Sequence, residues 1–288
     1  MRLNRFNPAN IRIRDQRSGG GFPGGGGGKI GCGTLVIVLA LAYFTGADPA
    51  QLLGGLDQMQ QTSSQQVQGG QNAAESCAVN TYSTEACAHL ASLDETWAPK
   101  FQQAGIPFEQ PVLNFYSRQG RSGCGAAQSA MGPFYCPSDQ GIYIDTQFYD
   151  EMAQRMGAEG DFARAYVMAH EYGHHVQNLT GTAAQVRQLQ SRNPQAANAL
   201  QVRMELQADC YAGVWAALNR DRIEPGDIEE GLTAAHSVGD DTLMASAGRT
   251  PVEASFTHGS SAQRMEWLRK GLETADEDQC DTFADLQG

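Results

Sequence analysis

Residues 167–178 read VMAHEYGHHVQN, an H-E-x-x-H string inside an unbroken helical pattern. At 3.6 residues per turn, His170 and His174 fall one turn apart on one face, with Glu171 beside them. Two neutral imidazoles so placed supply half of a tetrahedral zinc shell, and the glutamate can reach a water on that metal. A hydrolytic zinc site also needs a third protein ligand and an open position. The next helical stretch contains ELQAD over 205–209, which sets Glu205 and Asp209 one turn apart. Glu205 is therefore the expected third ligand. Asp209 is placed to accept the other ring N–H of a ligating histidine, His170 in particular, fixing its tautomer and raising its basicity. The competing reading is a helix pair whose polar residues line a solvated seam.

Zinc held by two histidines and a carboxylate polarises a carbonyl oxygen and acidifies its water. Glu171 would take that water's proton during attack and return it to the leaving amine. Peptide hydrolysis without a covalent intermediate is the expected chemistry. The same ligands would serve another amide.

HEYGHHVQ, then ELQADCYAGVW, then FTHGSSAQRMEWLRKGL together resemble the neutral zinc metallopeptidases of bacteria. The likeness runs from the apolar segment near the N-terminus to CDTF near the C-terminus. More distantly, HExxH followed by ExxxD is similar to the gluzincin pattern of thermolysin. That pattern implies a ligand role for Glu205 and an orienting role for Asp209. Thr257, His258 and Arg264 resemble the T-H-P and distal arginine of certain membrane zinc proteases, although Gly259 stands where those carry proline. That resemblance implies that His258 and Arg264 stabilise the oxyanion of the transition state. A fixed positive donor in a dry site is also what a developing oxyanion requires. Ser260 or Ser261 can cap a helix from about Ala262 to Leu272, holding His258 at its start. The alternatives are a loop or capping role for His258 and a surface ion pair for Arg264.

The N-terminus differs in character. Residues 1–29 carry Arg2, Arg5, Arg12, Arg14, Arg17 and Lys29 against Asp15, whereas the whole chain has 20 basic and 32 acidic residues and a net charge of −12. Residues 19–28 are almost pure glycine, a linker composition that packs no core. Residues 30–47 form an uncharged run near the minimum length for a membrane span. The basic flank predicts a single-pass membrane protein with its N-terminus cytoplasmic and its catalytic domain extracytoplasmic; the resemblance to the bacterial family implies that the membrane is the inner membrane and the domain periplasmic. A cleaved signal peptide fits poorly, because the charged stretch before the run is too long. Residues 48–75, rich in Gln, Gly and Ser, read as a tether. The acid excess argues against nucleic acid as a partner. A protein or peptide substrate is expected instead.

Residues 76–288 are long enough for one domain with its own core. They contain Cys77, Cys87, Cys124, Cys136, Cys210 and Cys280, an even set suited to disulfides in an oxidising compartment. Neighbour pairing would join 77 to 87 and 124 to 136, leaving 210 for 280, one of many possible connectivities. The expected fold is α+β and predominantly helical, a zincin-like core with a small sheet, preceded by one transmembrane helix. Helices are predicted from Asp161 to about Leu179, from Asn193-Pro194 to about Asn219, and from the Glu224–Asp227 break through Ala235. Strand signals fall near 111–117 and 141–148; the gluzincin resemblance implies a substrate-pairing edge strand, for which GIYID is the candidate, and an ordinary core strand is the equal alternative. His175 points about 100° from His174 and is read as a supporting or surface residue. Besides a membrane-anchored zinc peptidase, the sequence admits an inactive zinc-stabilised binding domain or a hydrolase of cell-wall peptide crosslinks. Glu171 argues against the binding domain, which has no use for a general base.

Overall fold

The computed structural model describes residues 1–2, 6–17 and 71–286. The expected transmembrane helix over 30–47 and most of the tether lie outside them. Among the described residues, no helix is long and apolar enough to cross a membrane.

The protein is α+β and mostly helical, with a small mixed sheet of four strands among the described residues. Strands β1 (Arg12–Asp15), β2 (Val112–Tyr116) and β6 (Gly141–Asp145) run parallel, and β5 (Phe134–Cys136) lies antiparallel to β6 at the edge. The sheet order is β1-β2-β6-β5, and β3 (Gln119–Ser122) with β4 (Gly125–Gln128) forms a separate hairpin. Every residue of β2 and β6 is buried, as expected of interior strands covered on both faces.

GIYID is thus an interior strand, not the edge. The edge is β5, whose three residues are too short to give an alternating pattern in the sequence. Its inner side is fixed three ways: by pairing to β6, by stacking of Phe134 on Tyr143 at 4.9 Å, and by the Cys124–Cys136 disulfide to the hairpin.

A second correction concerns the N-terminus. Met1–Arg17 belong to the same compact unit as residues 69–288, so the boundary that set 1–29 apart as a tail fails for its first 17 residues. Ile11 and Ile13 enter the core, and β1 pairs with β2 from Arg12↔Val112 to Asp15↔Phe115. Arg17 then binds Asp15, the Ser76 carbonyl at 2.8 Å and Ser83. Two apolar residues in a strongly basic stretch gave little warning of a strand.

The helices are α1 (Gln71–Cys77), α2 (Thr81–Gln103), α3 (Gln147–Met156), α4 (Asp161–Leu179), α5 (Thr182–Arg192), α6 (Ala197–Leu218), α7 (Asp227–Ser237), α8 (Asp240–Ser246) and α9 (Ser261–Thr274). Helix α4 spans the predicted residues, although Gly160, not Asp161, holds the N-cap position. Pro194 opens a short 3-10 turn, and α6 follows from Ala197. Ser260 caps α9 in a reciprocal capping box with Gln263.

Helices α4 and α6 pack closely enough to share a site because glycine lies between them. A methyl group on Gly173 would stand 2.9 Å from the Ala208 Cα. On the other side of α6, any side chain at Gly271 of α9 would collide with the Cys210 carbonyl. These two approaches bring the ELQAD turn against the H-E-x-x-H turn and carry Arg264 in behind it. The disulfides join Cys77 to Cys87, Cys124 to Cys136 and Cys210 to Cys280, the neighbour pairing. The last closes a separation of 70 residues on the ligand helix itself, a constraint of about 4 kcal/mol in chain-entropy terms.

Candidate active site

His170, His174 and Glu205 converge, each offering one ligand atom within 4.8 Å of the others. The Nε2 atoms of His170 and His174 lie 3.1 and 3.5 Å from Glu205 Oε2. Ligand atoms at zinc-bond lengths around a tetrahedral ion are separated by about 3.3 Å, so the donor set and its spacing fit zinc. The other ring nitrogens are committed. His170 Nδ1 donates to Asp209 Oδ1 at 2.8 Å and His174 Nδ1 donates to Gln177 Oε1 at 2.9 Å, which points both Nε2 atoms toward Glu205. Gln177 in turn donates to the Met204 carbonyl at 2.7 Å, locking α4 to α6 beside the site. Gln201 donates to Glu205 Oε1 at 2.8 Å and fixes that carboxylate.

Charge follows the same geometry. Burial would raise the Glu205 carboxyl, but His174 and His170 outweigh it and hold Glu205 well below the usual carboxylate range. Burial works against the charged His170 ring, yet the Asp209 carboxylate pushes it up to about 9. Burial lifts the Glu171 carboxyl above its ordinary value, against the pull of His170 and His174. Glu171 is thereby a stronger base than a solvated carboxylate.

Asp209 is fully buried and accepts from four donors. They are His170 Nδ1, the Tyr166 hydroxyl at 2.6 Å, and Arg264 through Nε and Nη2, both at 2.9 Å. Arg264 is thus paired behind the site, with its Nη2 also donating to the Tyr166 hydroxyl at 3.0 Å. Tyr166 was not singled out in the sequence, although it sits one turn before His170 on the same face.

His258 lies outside this buried cluster. Its side chain is 52% exposed, and Nδ1 lies 3.1 Å from Asp240 Oδ1. Asp240 Oδ2 accepts the backbone N–H groups of Thr257 at 2.6 Å and His258 at 2.7 Å, so one carboxylate fixes loop and ring together. Asp240 is the support of this loop. Gly259 has φ 90°, which proline cannot adopt, so the departure from T-H-P is built into the loop.

His175 is fully buried, donating Nε2–H to the Glu109 carbonyl at 2.7 Å and accepting the Tyr135 hydroxyl on Nδ1 at 3.0 Å. Burial lowers it to about 4, keeping it neutral. It ties edge strand β5 to the metal helix and is no ligand.

The candidate ligands and Glu171 open on one cleft of about 610 Å³. One wall is Met131 to Tyr135 with Pro137 and Phe148, and the other is α5 with Met204. His170, Glu171, His174, Glu205, His258 and Arg264 all line it. A second acidic trio, Asp161, Asp227 and Glu230, is elsewhere, and Asp161 and Asp227 pair with the Met1 ammonium at 2.6 and 3.0 Å.

Fold and site define a helical α+β protein with a candidate metal centre of two histidines and a carboxylate. Residues 2–283 match the family described as "Putative neutral zinc metallopeptidase", and the chain belongs to that family. It is similar to the uncharacterized protein YpfJ of Escherichia coli (strain K12), 44% identical over 282 residues and 95% of each chain. It is also similar to the uncharacterized protein Rv2575 of Mycobacterium tuberculosis (strain H37Rv), 42% identical over 207 residues, 67% of this chain and 68% of that one. No solved structure matches it.

Proposed function

We propose that the protein is a zinc-dependent peptidase with a zincin-like core. The observation that carries this reading is the convergence of His170, His174 and Glu205 beside the buried Glu171, in a cleft bounded by a free strand edge. His170, His174 and Glu205 would hold the metal, which when bound acidifies water and polarises the substrate carbonyl. Glu171 takes the proton from the attacking water and delivers it to the leaving amine. His258, with Nδ1 donating to Asp240, would donate from Nε2 to the developing oxyanion when its ring is protonated, with the Asp240 carboxylate as counter-ion. Arg264 acts through Asp209, keeping the carboxylate that orients His170 ionised and in place. The free edge of β5 suits an extended peptide added as one more strand. Three disulfides favour an oxidising, extracytoplasmic compartment.

The test uses the purified full chain with an unfolded protein as substrate. Zinc at one per chain, cleavage abolished by a chelator and restored by zinc, is the expected result. Absence of bound zinc after incubation with the ion would overturn the assignment of the site.

A further inference from the structure

The cleft is lined by few cations, and all but one are engaged. Arg264 is paired with Asp209 and His258 with Asp240, while His170 and His174 face Glu205. Arg187, on the exposed side of α5, lines the same cleft and has no acidic partner among the described residues. Its charge acts on Tyr135, which stands on edge strand β5 across the cleft. Most other residues that line the cleft are apolar, among them Phe134, Val186 and Met204. Resting on the peptidase reading, we infer that Arg187 is a specificity-determining residue that selects peptides bearing a carboxylate on the α5 side of the scissile bond. An acidic side chain and a C-terminal carboxylate share that chemistry.

Binding can be measured without turnover, using the full-length Glu171→Gln variant and fluorescent peptides that differ only in one flanking Glu, Gln or Lys, each with a free or amidated C-terminus. About fivefold tighter binding of the Glu peptides over Lys is expected, the scale of a solvent-exposed ion pair. Arg187→Glu should reverse that order while leaving the Gln peptide unchanged. A preference that follows amidation instead identifies the C-terminal carboxylate as the source. Equal binding of all peptides, or an order that survives Arg187→Glu, overturns the inference. Failure of the peptidase reading would show separately, as zinc-loaded wild type that cleaves none of them.

A different observation bears on the membrane. Residues 12–15 hydrogen-bond to β2, Arg121 N–H donates to Gln16 Oε1 at 2.9 Å, and Arg17 binds the Ser76 carbonyl. Helix α1, which begins at Gln71, packs against β1, so the chain leaves and re-enters this domain at neighbouring places. A hydrocarbon layer about 30 Å thick cannot separate hydrogen-bonded strands. Residues 48–70 contain no second apolar run of spanning length that would bring the chain back. We propose that residues 6–17 and the metal-site domain share one side of any membrane that residues 30–47 contact. This replaces the single-pass arrangement with a cytoplasmic N-terminus.

The test is sidedness in intact cells, with the full chain carrying Cys32→Ser and either Ala9→Cys or Ala254→Cys, both exposed positions. A membrane-impermeant maleimide should label both or neither before permeabilisation, and both after it. Labelling of one position alone in intact cells overturns the proposal.

Discussion

Glu171→Gln should lower peptide cleavage by about a thousandfold, the range found when a general base is removed, and leave zinc at one per chain. The substitution keeps the size of the side chain and removes its basicity. Glu171 is 8% exposed, and it is not among the atoms that converge on the metal position, so Gln should neither unfold the helix nor loosen His170 and His174. Burial raises its carboxyl pKa, and the same burial lets a neutral amide sit there at no charge cost. The decisive measurement pairs zinc content with the rate on an unfolded protein for both forms. Retained activity would remove Glu171 from the chemistry. Lost zinc would mean that it supports the ligands and not the proton transfer.

That much of the site could be anticipated from sequence follows from helix periodicity. His170 and His174, and likewise Glu205 and Asp209, are pairs whose spacing alone fixes a common face, so each half was legible in one short string. Bringing the halves together needed only two adjacent helices, and Gly173 permits that approach. What was not legible depends on contacts distant in sequence. Arg264 was expected to face the substrate, but its Asp209 partner is 55 residues away, and no local pattern encodes that pairing. Edge strand β5 owes its place to β6 and a disulfide, not to its own three residues. Strand β1 lies in a basic, Arg-rich stretch that composition assigns to a solvated tail, yet Ile11 and Ile13 suffice to dock it. Periodicity reports which side of an element is buried. It does not report the neighbour that buries it.

Asp209→Ala should cost both stability and zinc, through two separable causes. The first is the Arg264 guanidinium, which is 3% exposed and spends both of its shorter contacts on this carboxylate. Removing one partner of a buried ion pair leaves an uncompensated charge and costs about 3–5 kcal/mol. Neighbouring Tyr166 cannot compensate, because a hydroxyl carries no charge and its own acceptor is lost as well. The second cause is His170, whose Nδ1–H loses the acceptor that fixes its tautomer and points Nε2 at Glu205. Loss of such an outer partner typically weakens metal binding by about 10–100-fold. A second substitution separates the two effects. Arg264→Met in the Asp209→Ala background removes the stranded charge and keeps an unbranched apolar chain against α6. Stability measured by denaturant midpoint should then largely recover, while zinc affinity measured by chelator competition should stay low. If zinc affinity recovered along with stability, Asp209 would matter only as the counter-ion of Arg264. If neither changed in the single variant, the buried carboxylate would have no part in holding this site.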